Sequence, residues 1–152
     1  MPSSFTIREA TVTDLAATAA LENAVFDHNA YPAFFFRQAY DVFGDFFLVA
    51  EDEQAGVIGY TIGGKSSSGA VGWVLSIAVN PSHRRKGVAR ALMEALAERL
   101  DDAGASSIRL TVEPDNGPAI AAYLRLGFTA VETDPDYFGP GDVRTVMEKR
   151  IR

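Results

Sequence analysis

The chain contains no cysteine. That absence removes disulfides, thiolate metal sites and a cysteine nucleophile together. Histidine is almost absent as well: His28 and His83 are isolated, and no metal centre is expected from them. No apolar run approaches the ~20 residues of a membrane-spanning helix. The opening Met1-Pro2-Ser3-Ser4 lacks the basic and apolar regions of a secretory leader, so a cytoplasmic chain without membrane attachment is expected. Positive charge is in the minority, with 14 Lys and Arg against 20 Asp and Glu and a net charge of −6. That balance disfavours nucleic acid and suits a cationic partner such as an amine.

What is present begins with enough chain for one core. At 152 residues, 47% hydrophobic and 22% charged, the sequence reads as a single domain over residues 1–152. It is organised around residues 74–100. Val74-Leu75-Ser76-Ile77-Ala78-Val79 is apolar or small and stops at Asn80-Pro81, the pattern of a buried strand closed by a turn. From Val88 the period becomes helical, with Val88, Leu92, Ala95, Leu96 and Leu100 in phase and Gly87 at the helix start. Arg84, Arg85, Lys86 and Arg90 crowd that amino end. The helix dipole and the unpaired N–H groups there favour an anion, so cations alone sit on the wrong side. A phosphate held among them, with backbone N–H groups brought close through the glycine, resolves the placement; a solvated basic turn is the plain alternative.

Around this centre, residues 5–8 read as an opening strand and residues 13–26 as an alanine-rich helix with Leu15, Ala19, Glu22 and Phe26 on one stripe. Glu22 interrupts that stripe, at the edge of a buried face. Tyr31, Phe34, Phe35, Phe36, Ala39, Tyr40 and Phe43 follow, with Pro32 suited to a first helical position. Three consecutive phenylalanines point around more than half a helix, which leaves a substrate-groove wall, core packing and a dimer contact all open. Residues 46–51 and 56–62 read as strands joined by a short link. Residues 59–66 spell the phosphate-loop pattern G-x-x-x-x-G-K-[ST], but Tyr60-Thr61-Ile62 belongs inside a strand and no helix follows, so the match is rejected. Gly104 closes the central helix. Residues 107–113 read as a strand with Ile108, Leu110 and Val112 on one face and Thr111 and Glu113 on the other. A helix from Asn116-Gly117-Pro118, a strand at 129–132, a mobile-looking segment at 135–141 and a closing strand at 143–147 complete the chain.

Arg84-Arg85-Lys86-Gly87-Val88-Ala89 resembles the [Q/R]-x-x-G-x-[G/A] signature of the GNAT N-acetyltransferase superfamily. Asn116 through Phe128 is similar to that family's N-x-x-A-x-x-x-Y-x-x-x-G-F pattern, in the right order and distance. The resemblance covers nearly the whole chain and implies an α/β fold. Its central mixed sheet is strongly bent, with about seven strands, about four helices and a V-shaped split between the fourth and fifth strands. It implies acetyl-CoA as co-substrate, no metal, and direct transfer of acetyl to a primary amine in a ternary complex, by a monomer or homodimer. The acceptor would be a peptide or protein amine or a small molecule. The backbone of Ile77 and Val79 would pair with the pantetheine arm, Arg84, Arg85, Lys86, Gly87, Val88, Ala89 and Arg90 would hold the pyrophosphate, and Asn116 would bind pantetheine directly or through water.

Tyr123 is the implied general acid. It lies two helical turns from Asn116 on the same side, and a tyrosine with pKa ~10 is protonated at neutral pH and able to donate to the departing thiolate. Thr111 occupies the position where the ribosomal-protein N-terminal acetyltransferase branch has a glutamate. That leaves Glu113, two residues on, or Glu22 as the base. Glu22, Tyr31, Phe35 and Tyr137 are the candidate acceptor-binding residues, Tyr137-Phe138 resembling the aromatic acceptor segment of that branch. A non-catalytic acyl-CoA-binding sensor of the same fold would tolerate loss of Tyr123, so its presence argues for an enzyme.

Overall fold

The computed structural model describes residues 4–152; residues 1–3, part of the stretch read as lacking a leader, lie outside it. Seven strands of the described residues form one sheet: β1 (Phe5–Glu9), β2 (Phe47–Asp52), β3 (Gly56–Lys65), β4 (Val71–Val79), β5 (Ser107–Val112), β6 (Thr129–Asp134) and β7 (Arg144–Arg150). Their spatial order is β1-β2-β3-β4-β5-β7-β6. The β4–β5 pair is parallel, with residues 71–73 in register with 107–109, and the other neighbours are antiparallel. Among the described residues four α-helices accompany the sheet: α1 (Leu15–Phe26), α2 (Ala33–Phe43), α3 (Val88–Asp102) and α4 (Gly117–Arg125). This is the mixed α/β architecture expected from the sequence.

The chain divides into two compact units. The first contains residues up to Gly64 and Val74–Leu100. Its core gathers Leu21, Phe36, Ala39, Phe47, Val49, Tyr60, Ile62 and Ala78, with the Phe36 ring edge-on to Tyr60 at 5.6 Å between centroids. The second contains Lys65–Trp73 and Asp101–Arg152, and buries Ile108, Leu110, Val112, Phe128, Val146 and Met147.

The phosphate-loop pattern is strand: Gly59 through Lys65 belong to β3, a turn at Ser66–Gly69 leads straight into β4, and Lys65 Nζ donates to the Ala103 carbonyl at 2.8 Å. Its glycines answer to packing. A Cβ on Gly59 would lie 3.1 Å from Val88 Cγ1 and 3.2 Å from both the Ala78 carbonyl oxygen and Leu92 Cδ1, so α3 sits directly on the strand there. Gly64 lies beneath the Phe43 ring, which a Cβ would meet at 3.3 Å. Gly59→Ala is expected to destabilise by about 1–3 kcal/mol through overpacking against backbone, read as a lower midpoint in urea with an unchanged slope.

Several boundaries differ from the sequence reading. β3 runs on to Lys65 and β4 starts at Val71 because Gly63, Gly64 and Gly72, which look like turn signals, are buried strand residues. Phe46 closes a 3-10 turn, and the last strand runs Arg144–Arg150. Glu113 is not a strand residue, since β5 ends at Val112. The 135–141 segment is a set of bonded turns: Asp136 accepts from Gly139 N–H at 3.0 Å through its carbonyl and from Gly141 N–H at 2.8 Å through its side chain.

Candidate active site

β4 hands over to α3 through a turn whose conformation is written residue by residue. Asn80 Oδ1 accepts from the backbone N–H and hydroxyl of Ser82, at 3.0 and 2.9 Å, closing the one-turn 3-10 helix Pro81–His83. Arg85 and Gly87 then adopt left-handed backbone, φ 65° and 81°. The Gly87 carbonyl accepts the first helical bond from Ala91 N–H at 3.0 Å, so Gly87 is the N-cap and brings no side chain to satisfy the first turn. Left-handed residues in such a turn swing successive N–H groups toward one side, the geometry of an anion-binding nest at a helix start. A non-glycine residue at positive φ costs about 1–2 kcal/mol, and Arg85 bears that cost. Arg84, Arg85, Lys86, Gly87 and Arg90 are exposed, Ala89 is half-buried, and Val88 anchors the turn in the core. Asn80 N–H donates to the Ile58 carbonyl of β3, so by strand alternation the preceding Val79 turns its own backbone groups the other way. Ile77 lies two residues earlier in β4, half-buried.

The same unit carries the acceptor candidates Glu22, Tyr31 and Phe35. Glu22 is not at the edge of a face but enclosed, 2% exposed. Its Oε1 accepts from the Tyr60 hydroxyl and from Ser76 Oγ (2.9 Å), and its Oε2 from the Tyr31 backbone N–H (3.0 Å). Burial, together with the bond to Glu22, holds the Tyr60 phenol protonated far above the ordinary tyrosine range. The Tyr31 ring stacks on Phe35 at 4.1 Å, and its hydroxyl donates to the Leu75 carbonyl of β4 at 3.2 Å. The three phenylalanines divide: Phe36 is core, Phe35 is half-buried, and Phe34 is 66% exposed. Sequence reasoning missed Tyr60 and Ser76. Their signal was hydroxyl residues inside two mainly apolar runs, Tyr60 beside Thr61 in 58–62 and Ser76 in 74–79, of which Tyr60 and Ser76 face the carboxylate on α1.

In the second unit, each letter of the N…Y…G-F pattern has a local cause. Asn116 Oδ1 accepts from Ala119 N–H at 3.2 Å and caps α4, leaving its amide N–H groups as donors for anything else. At the other end Gly127 (φ 98°) stops the helix: Phe128 N–H reaches the Tyr123 carbonyl and Gly127 N–H the Leu124 carbonyl, both at 3.0 Å. That motif seats the buried Phe128 ring 6.1 Å from the ring of Tyr123. Burial raises the Tyr123 phenol above its usual value, so it is a proton donor at neutral pH. Glu113 is exposed, 3.8 Å from Arg144 Nη2. Arg144 also bonds Asp142 and lies 5.2 Å over the Phe138 ring, against which Tyr137 packs edge-on. Asn116 N–H donates to the Glu113 carbonyl, so Glu113, Asn116, Tyr137 and Arg144 share one corner of this unit. Thr111 stands half-buried on β5 with no group that titrates.

The acetyltransferase (GNAT) family pattern matches residues 12–128. The chain belongs to this family. It is similar to an N-alpha-acetyltransferase of Saccharolobus solfataricus, 32% identical over 97% of this chain and 93% of that one. Among solved structures it is similar to Ard1 from Thermoplasma volcanium (TM-score 0.86, 26% identity, 98% and 99% of the two chains). It is also similar to Chaetomium thermophilum Naa20 in complex with a bisubstrate analogue (TM-score 0.81, 27% identity, 95% and 86%). A GNAT chain is an acyl-CoA-dependent N-acetyltransferase, with acetyl-CoA as the donor. The basic, glycine-capped turn before α3 fits that donor's phosphates. Among the described residues no cluster of His, Asp and Glu is placed to hold a metal, and no helix is long and apolar enough to cross a membrane.

Proposed function

We propose that this GNAT chain acetylates the free α-amine of a peptide or protein, by direct transfer from acetyl-CoA in a ternary complex. The observation that carries the choice of acceptor is the state of the two carboxylates proposed as bases. Glu22 is enclosed and receives three donors, and Glu113 faces Arg144. A site whose carboxylates are engaged suits an amine that needs little help to lose its proton: an α-amine, pKa ~8, rather than a lysine, pKa ~10.4. The similarity to an N-alpha-acetyltransferase over almost the whole chain supports the same acceptor.

In this reading the nest at Arg85 and Gly87, with Arg84, Lys86, Val88, Ala89 and Arg90, takes the pyrophosphate. The backbone of Ile77 and Val79 takes the pantetheine arm, with the Val79 N–H as the fixed dipole for the developing oxyanion. The Asn116 amide binds pantetheine, Tyr123 protonates the thiolate, and Tyr31, Phe35 and Tyr137 line the acceptor. Glu113, exposed beside Arg144, is the carboxylate left for residual base work.

The test is acetyl-CoA-dependent thiol release over paired peptides, one with a free α-amine and no lysine, the other amino-blocked with one lysine. The free α-amine is expected to win at least ten-fold in kcat/KM near neutral pH. No release with any amine despite tight CoA binding would favour the sensor. The donor half has its own measurement: the double variant Arg84→Glu, Arg85→Glu is expected to weaken acetyl-CoA binding by calorimetry roughly thirty-fold, less at high salt.

A further inference from the structure

The core uses only one face of α2. Phe36 and Ala39 are buried there, with Phe35, Tyr40 and Phe43 half-buried beside them. On the opposite side Phe34, Arg37, Gln38, Asp41 and Val42 are all exposed, at the i, i+3, i+4, i+7, i+8 spacing of a second helical stripe. Its ends are apolar: Val42 is 70% exposed and Phe34 66%, the highest values among the exposed large hydrophobic side chains of the described residues. Between them Arg37 Nε donates to both oxygens of the Asp41 carboxylate, at 3.1 and 3.0 Å, so the middle carries one charge of each sign. Read from either end the stripe runs apolar, charged, neutral, charged, apolar, with the two charges opposite. Such a stripe is complementary to its own inverted copy.

We propose that this face of α2 pairs two copies of the chain, the helices antiparallel about a two-fold axis. With the axis crossing between Gln38 and Ala39, Phe34 of each copy comes within one residue of being level with Val42 of the other, ~1.5 Å along the helix. Arg37 of each copy meets Asp41 of the other with the same offset, so each guanidinium lies between two carboxylates. The Gln38 amides, donors and acceptors both, meet at the axis. A parallel pairing would set Arg37 beside Arg37 and Asp41 beside Asp41, so charge selects the antiparallel one. Two three-turn helices bury less than the ~1,200 Å² of a standard stable interface, which makes the dimer weak and concentration-dependent. Each copy carries a net charge of −6, and that long-range repulsion opposes pairing until salt screens it. The pairing does not depend on the acetyl-transfer reading.

The test is sedimentation velocity of the full chain in ~0.15 M salt, over ~5 to ~500 μM, the range of weak interfaces. The weight-average mass is expected to climb from 16.4 kDa toward twice that value. Arg37→Asp and Asp41→Arg are each expected to stay monomeric, since either one sets like charges against each other at both ends of the contact. Mixed in equal amounts, the two variants should associate again, because every position 37 then faces a position 41 of opposite sign. Both side chains are more than half exposed, and retained thermal midpoints show that the variants fold. A mixture that stays monomeric overturns the antiparallel pairing. A wild-type dimer that either variant retains lies on another surface and overturns it as well. Wild type that is monomeric throughout overturns self-association and leaves the face to a different protein.

Discussion

Tyr123→Phe is expected to lower kcat about a hundred-fold, the lower end of what a positioned general acid contributes, while the protein still folds. The ring that Phe128 packs against is kept, the Gly127 helix stop is untouched, and only the phenolic oxygen is lost. The pH profile carries the sign. Burial raises the Tyr123 phenol above its ordinary ~10, so wild-type activity should climb through the ~8 of an α-amine and lose its acid only beyond pH ~10. Stopped-flow measurement of the first turnover separates this chemistry from product release. A first-turnover rate within three-fold of wild type would remove Tyr123 from the acid's role and leave it a packed aromatic.

The elements that carry the candidate site were legible where their causes are local. In α4, Asn116 is a cap because its side chain reaches three residues on, and Gly127 a stop because only a left-handed residue closes the helix there. Phe128 follows Gly127 because that closure points the next side chain back at Tyr123. The turn from Asn80 to Gly87 is legible for the same reason. The illegible parts depend on contacts between distant segments. Glu22 meets Tyr60 across 38 residues and Ser76 across 54, so periodicity showed an interrupted stripe and nothing of what filled the interruption. Glu113 reads as a strand residue by alternation, yet β5 stops one residue earlier and Arg144, on another strand, lies 3.8 Å from its carboxylate. The aromatic run had three meanings in sequence, and each phenylalanine turned out to have a different exposure.

Glu22→Leu is expected to cost about 3 kcal/mol, the scale for stranding buried donors. At 2–4 °C per kcal/mol for a chain of this size, the thermal midpoint should fall roughly 6–12 °C. Leucine keeps most of the volume, so the loss is of acceptors. The Tyr60 and Ser76 hydroxyls, 2.9 Å apart, can still bond each other, but one hydroxyl hydrogen and the Tyr31 N–H lose their partner. Because that N–H positions Tyr31, proposed above to line the acceptor, the KM for the acceptor is expected to rise more than that for acetyl-CoA. The decisive measurement is the triple variant Glu22→Leu, Tyr60→Phe, Ser76→Ala. If the carboxylate is retained because it satisfies these donors, removing them with it should recover about half of the stability lost in Glu22→Leu, since matched apolar groups strand nothing. If the three losses simply add, each residue stabilises through its own packing and the buried carboxylate has no structural claim on the acceptor segment.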